Sequence, residues 1–213
     1  MNKINIIPYY KVLEKTDKSI KFDQKIQIYF LYNFNPLVLE NYIKFFLQKN
    51  KINTKFIKSD YNQIEQEIFS TQFIKKASKS RFIIIGSDIN KKLFFNYKLI
   101  NQYIDNLKIN LKEIILKINK LENTNIIFFN STLLLSSYYL SKNEFNKIQK
   151  KIETFNQFLN KSSSINKNLL IVDIDKINNF VGSKNFYDDS NYFISKIPYS
   201  ETANNYISFE ISK

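Results

Sequence analysis

Residues 25–46 read Lys-Ile-Gln-Ile-Tyr-Phe-Leu-Tyr, then Asn-Phe-Asn-Pro, then Leu-Val-Leu-Glu-Asn-Tyr-Ile-Lys-Phe-Phe. The first part is an apolar, β-branched and aromatic run of strand length. The middle is a turn, because asparagine tolerates left-handed backbone and Pro36 pre-sets φ for a first helical position. The last part has helical period: Leu39, Tyr42, Ile43, Phe46 and Leu47 share one face, and Glu40, Lys44 and Gln48 share the other. A strand that feeds a helix in this way is the opening unit of an open α/β sheet. Groups at the end of its strand look into the ligand crevice. Tyr32, Asn33, Phe34 and Asn35 are therefore expected at the floor or rim of any site.

The rest of the chain repeats the alternation. Residues 52–58 form a second strand, and Asp60 is placed to cap a helix over 62–69 with Gln63 at its N3 position. Residues 81–86 form a third strand, apolar after Arg81 as befits burial on both faces, and Gly86 ends it. A helix over 93–121 follows, with Ile100, Ile104, Leu107, Leu111, Ile114 and Ile118 at 3-4 spacing. That spacing suits a coiled-coil seam, but strands on both sides favour a crossover helix covering the sheet. Residues 124–129 are a fourth strand, and 133–140 an apolar loop or short helix. Ser141 and Glu144 form a capping box for a helix carrying Phe145, Ile148, Ile152, Phe155 and Leu159 on one face. A polar loop over 161–168 leads to a fifth strand at 169–172. These elements predict a three-layer α/β/α sandwich around a five-stranded parallel sheet, flavodoxin-like, with strand order 2-1-3-4-5. An N-terminal arm (1–24) precedes the main domain (25–200), and a C-terminal tail (201–213) follows it.

Composition narrows the chemistry. The chain has no histidine and no cysteine. A Ser-His-Asp triad is therefore excluded, zinc and copper sites lose their usual ligands, and only oxygen-ligand cation sites stay open. Nothing implies a cofactor. The net charge of +13 invites a nucleic-acid reading, but arginine occurs only at Arg81 and the lysines are spread along the chain. Lys, Asn, Ile, Phe and Tyr are abundant together, and all have AT-rich codons, so genome bias accounts for the charge. No membrane-spanning run or signal-peptide pattern is present, which gives the cytoplasm as the default location.

The strand ends bring together Asn33 with Asn35, Ser87 with Asp88, Asn130 with Ser131 and Thr132, and Asp173 with Asp175. Such residues bind ligands at sheet edges, and they also serve as ordinary turn and cap residues. Ser87 and Ser131 are potential nucleophiles, but the sequence pairs neither with a convincing base. Leu-Leu-Ile-Val-Asp-Ile-Asp at 169–175 is similar to the nucleophile strand of haloacid-dehalogenase-type phosphatases. It lacks the threonine of Asp-x-Asp-x-Thr, and too little chain follows to build that core. Asp173, Asp175, Asp188 and Asp189 have no spacing that demands a cation.

The segment 187–200 has no periodic logic of its own. Its Asp188, Tyr192, Phe193, Lys196, Pro198, Tyr199 and Ser200 match, in order, the close of the N-terminal domain of FkbH-like proteins: an Asp, an aromatic pair, then Lys-x-Pro-aromatic-Ser. Leu31-Tyr-Asn-Phe-Asn-Pro-Leu resembles that family's first strand and turn. The run from Asp60 to Glu67 resembles its Tyr-x-Gln-x-x-Gln-Glu helix start, and Val172-Asp-Ile-Asp with the later Gly182 its fifth strand and turn.

This resemblance implies an SGNH-hydrolase-like fold that normally precedes a haloacid-dehalogenase-type (HAD-type) domain. The implied partners are that domain or an acyl carrier protein, in glyceryl loading, polyketide or surface-sugar pathways. The chain ends at Lys213, about where the second domain would begin, so the phosphoryl chemistry is expected to be absent. SGNH hydrolases carry Gly-Asp-Ser after the first strand and Asp-x-x-His near the end. Here the first place holds Tyr32-Asn33-Phe34 and the second Asp188-Asp-Ser-Asn191. The expectation is a domain that recognises or docks and does not hydrolyse. Asn33, Asn35, Ser87, Asp88, Asn130, Asp188 and Lys196 are its candidate ligand-binding residues. Asn33 and Asn130 are expected to bond a carbonyl or hydroxyl, Asp188 to orient the closing segment, and Lys196 to meet an anion or a carboxylate. A degenerate esterase and a basic nucleic-acid binder are the alternatives.

Overall fold

A computed structural model describes residues 5–14, 21–90, 99–121, 123–133 and 141–213. Its strands are β1 (Gln24–Tyr32), β2 (Ile52–Lys58), β3 (Phe82–Gly86), β4 (Asn125–Phe129) and β5 (Leu169–Val172), all parallel, in the order β2-β1-β3-β4-β5. The expected topology and layers are therefore present. Alternation along the strands divides the sheet between two cores, because successive side chains point to opposite faces. Tyr29, Leu31, Ile83, Ile85, Ile126 and Phe128 meet helices α3 (Ile64–Phe69), α4 (Phe73–Ala77), α5 (Ile100–Ile118) and α6 (Lys142–Ile165). Ile28, Phe30, Ile84, Ile127, Phe129 and Val172 face α2 (Leu37–Lys49), α7 (Ile174–Val181), α8 (Ser183–Phe186) and residues of a last helix, 201–211.

Several boundaries differ from the sequence reading, each for a local reason. The helix expected from residue 62 begins at Ile64, and neither Asp60 nor Gln63 caps it with a side chain. The Asn62 N–H donates instead to the Tyr32 carbonyl at 3.1 Å, with Asn62 at φ 62°, which ties the loop to β1. Helix α6 runs on to Ile165 through the expected polar loop, its serine hydroxyls Ser163 and Ser164 bonding backbone carbonyls. Glu40, expected on the outer face of α2, is buried and pairs with Lys58 at 3.3 Å. Of the expected helix 93–121, residues 93–98 lie outside the described residues, as do 134–140 of the apolar loop.

The N-terminal arm carries α1 (Tyr9–Glu14), whose Val12 joins Tyr42, Phe45 and Phe46. Residues 201–213, set apart in the sequence as a tail, form a helix, Glu201–Ile211, here α10 after α9 (Asp189–Ser195). Ala203, Tyr206 and Ile207 are buried in the second core. Its polar residues are bonded inward: the Asn204 amide donates to the Tyr199 carbonyl, the Asn205 amide to the Ile7 carbonyl and the Ser208 hydroxyl to the Leu39 carbonyl. Buried polar groups are tolerated when bonded in this way. No helix among the described residues is long and apolar enough to cross a membrane.

Candidate functional site

The carboxyl ends of the strands form one edge, and the sequence-predicted residues gather there in two knots. The first joins β1 to β3. Asn33, 1% exposed, accepts the Asp88 N–H on Oδ1 at 2.8 Å. Its amide nitrogen donates to the Asp88 carbonyl at 3.0 Å and to the Tyr103 hydroxyl at 2.7 Å. Tyr103 also shares a 2.8 Å hydrogen bond with Ser87 Oγ. The Asp88 carboxylate accepts from the Asn90 backbone and side chain at 3.0 and 3.2 Å, and from the Tyr187 hydroxyl at 3.1 Å. Close approach here requires Gly86: a Cβ at that position would lie 3.0 Å from ring atoms of Phe30 and Phe34.

The second knot joins β4 to β5. Asn130 donates to Asp173 at 2.8 Å and accepts the N–H groups of Ile174 and Asp175 at 2.6 and 3.3 Å. Thr132 donates to Asp175 at 2.7 Å. Asp173 caps α7 through the Lys176 N–H, the cap role the sequence offered as its alternative.

The closing segment covers the end of β1. Asp188 caps α9, accepting the Asn191 N–H at 2.9 Å and its side-chain amide at 2.7 Å. Lys196 ends α9 in left-handed backbone, φ 59°. Its Nζ donates to the Phe193 carbonyl at 3.3 Å and lies 5.4 Å from the centre of the Tyr192 ring. Asn35 fastens this segment down: its N–H donates to the Lys196 carbonyl at 2.7 Å, its side chain to the Ser195 carbonyl at 3.1 Å. Asn33, Ser87 and Asp88 thus stand together. Asn35 meets the backbone of the segment carrying Lys196, while Asn130 belongs to the separate second knot.

Neither phenol of the first knot can serve as a base. Burial pushes the Tyr103 hydroxyl up, and the Asp88 charge pushes it further. Tyr187 is raised by burial first and then by Asp88. A phenol held protonated at neutral pH cannot take the Ser87 proton. Ser131 Oγ is buried with no hydrogen-bond partner among the described residues, so no base reaches it there.

Tyr103, Asn90 and Tyr187 are structural members of the site that sequence reasoning missed. Beside the first knot, between α3 and α5, opens a crevice of about 200 Å³ lined by Asn33, Asn62, Glu65, Gln66, Tyr103, Asn106 and Asn110 together with Ile64 and Leu107. Tyr103, Asn106, Leu107 and Asn110 follow helical 3-4 spacing, the one signal that could have found this wall. A larger hollow of about 540 Å³, between Phe180, Asp188, Glu201 and Tyr206, lies at the start of α10.

No family model matches the sequence, and no curated protein matches it. The fold is similar to the N-terminal part of BF1531 from Bacteroides fragilis, a structure containing a phosphatase domain complexed with Mg. The TM-score is 0.79 at 18% identity, covering 96% of this chain and 55% of that one. The chain thus spans about half the length of that structure. It is also similar to the lipase Lip_vut3 from a goat rumen metagenome, with TM-score 0.60, 14% identity and coverage of 87% and 95%. A GDSL-like lipase from Parabacteroides merdae gives 0.53, 12%, 91% and 98%. The chain has an SGNH/GDSL-like α/β fold.

Proposed function

We propose that this chain is a non-hydrolytic SGNH-like recognition domain of the FkbH-like N-terminal type. It holds a carrier-protein-bound or sugar-linked acyl group for a phosphatase-like, HAD-type partner domain. The observation that carries this reading is the state of Asn33. The resemblance puts a hydrolase's nucleophile at the end of β1, and the residue there is an amide whose oxygen and nitrogen are both bonded to protein groups. At the place of the catalytic histidine, Asn191 donates to Asp188, and its amide cannot take up and return a proton. The likeness to a structure that contains a phosphatase domain, with this chain covering 55% of it, supports a partner of that class. A neighbouring reading frame encoding Asp-x-Asp-x-Thr after an apolar strand would supply that partner, and an unrelated neighbour would deprive the docking role of it.

The Asp88 N–H is bonded to Asn33 and the Asn90 N–H to Asp88, so neither is an oxyanion donor as it stands. Holding a group needs only hydrogen-bond partners. Cleavage needs an activated hydroxyl, and Ser87 is tied to a protonated phenol. The test is turnover of simple aryl and sugar acetates by the purified chain. The expected rate is that of buffer, unchanged in Ser87→Ala. Turnover that Ser87→Ala abolishes would overturn the reading in favour of an esterase.

A further inference from the structure

We propose that the crevice between α3 and α5 is a binding site for a neutral, polyhydroxylated small ligand no larger than one sugar ring. The inference rests on the reading of this edge as one that holds a group, and it names the chemistry of what is held.

The first support is an open acceptor. Asn110 is 5% exposed and lines the crevice, and its Oδ1 has no hydrogen-bond partner among the described residues. A buried acceptor left open is costly, and the great majority in folded proteins find a donor. The oxygen is enclosed as it stands, and a turn of the amide about its terminal torsion presents it to a hydroxyl in the crevice.

The second support is the lining. Asn62, Gln66, Asn106 and Asn110 contribute amides, which offer donors and acceptors side by side. A hydroxyl both gives and takes a hydrogen bond, so a diol satisfies such pairs in either sense. Ile64 and Leu107 add apolar surface against which the C–H face of a ring or chain can lie.

The third support is charge. The chain carries +13 overall, yet among the described residues no lysine or arginine lines this crevice, and Glu65 is the one carboxylate there. A site for phosphate or a carboxylate would use the cations the chain has in excess. A site for a cation would not surround it with amide N–H donors. Size sets the upper limit: about 200 Å³ is below the roughly 300–1,000 Å³ of drug-sized sites.

The test is titration of the full ¹⁵N-labelled chain, followed by amide chemical shifts. The probes are methyl α-glucopyranoside and myo-inositol, against inorganic phosphate and methylammonium. Saturable shifts of the Asn106 and Asn110 side-chain amides with the polyols are expected, with weaker responses to both ions. Asn110→Leu keeps the folded spectrum and weakens polyol binding about tenfold, the worth of one hydrogen bond. Gln66→Ala, on the opposite wall, weakens it as well and guards against repacking at position 110. The proposal is overturned by no saturable polyol shift, by a stronger response to phosphate or methylammonium, or by unchanged affinity in both variants. The two readings fail separately. Absent ester turnover with absent polyol binding removes this site alone, and ester turnover with polyol binding removes only the non-hydrolytic reading.

Discussion

Asn33 and Asn110 are both buried asparagines, and both line the crevice beside β1. Asn33 spends its side chain on the loop after β3, with bonds to both the N–H and the carbonyl of Asp88. Asn110 keeps an acceptor open. The contrast separates two uses of the same residue. At the strand end the amide is a fastener that fixes neighbouring loops. On the helix wall it is a group in want of a partner. The polar residues at the expected edge thus bond one another and neighbouring backbone, while the unpaired acceptor stands one step to the side.

The comparison is broken most severely at Asn33. Asn33→Ala removes three hydrogen bonds among the described residues and leaves the Asp88 backbone groups without two of them, which should destabilise the fold by about 3 kcal/mol. Chemical denaturation measures it, and a loss within experimental error would show that Asn33 is no fastener. Asn130→Ala strips Asp173 and the first turn of α7 of their partner and should cost about 2 kcal/mol.

A smaller effect depends on pH. Burial raises the Glu40 carboxyl above its ordinary value, and Lys58 offsets this only in part. The folded state therefore holds the proton more tightly than the unfolded chain. Glu40's contribution is present below the ordinary carboxylate value and is lost as pH rises through its folded value. Glu40→Gln removes that loss, so the variant gains on the wild type from about pH 4 to neutrality. Urea midpoints across that range measure the gain, and parallel curves would contradict it.

The smallest effect has the opposite sign to the first. Asn110→Leu removes an open acceptor for an apolar group of similar size, so stability should hold or rise by up to about 1 kcal/mol. A loss as large as that at Asn33 would mean that Asn110 is a fastener too.

What the sequence made legible follows from how far each signal reaches. The strands were readable because their runs are locally apolar and β-branched, and β3, buried on both faces, shows no polar interruption. Strand order followed from the alternation of elements. Helix α10 was not readable, because Asn204, Asn205 and Ser208 look like solvent residues until their carbonyl partners are seen. The same holds for the site. Its position at the strand ends was legible from topology, but its wiring crosses long stretches of chain: Asn33 and Asp88 are 55 residues apart, Asp88 and Tyr187 are 99 apart. Asn110 has no such signal, because it is a polar residue set in the buried apolar stripe of α5 beside Leu107 and Leu111.

The central claim is that this edge retains the fold of a GDSL-like lipase without an activated nucleophile. Treatment of the chain with a fluorophosphonate, read by intact mass and peptide mapping, tests it most directly. The account predicts an unchanged mass after prolonged incubation. A stoichiometric adduct mapped to Ser87 or Ser131 would contradict it.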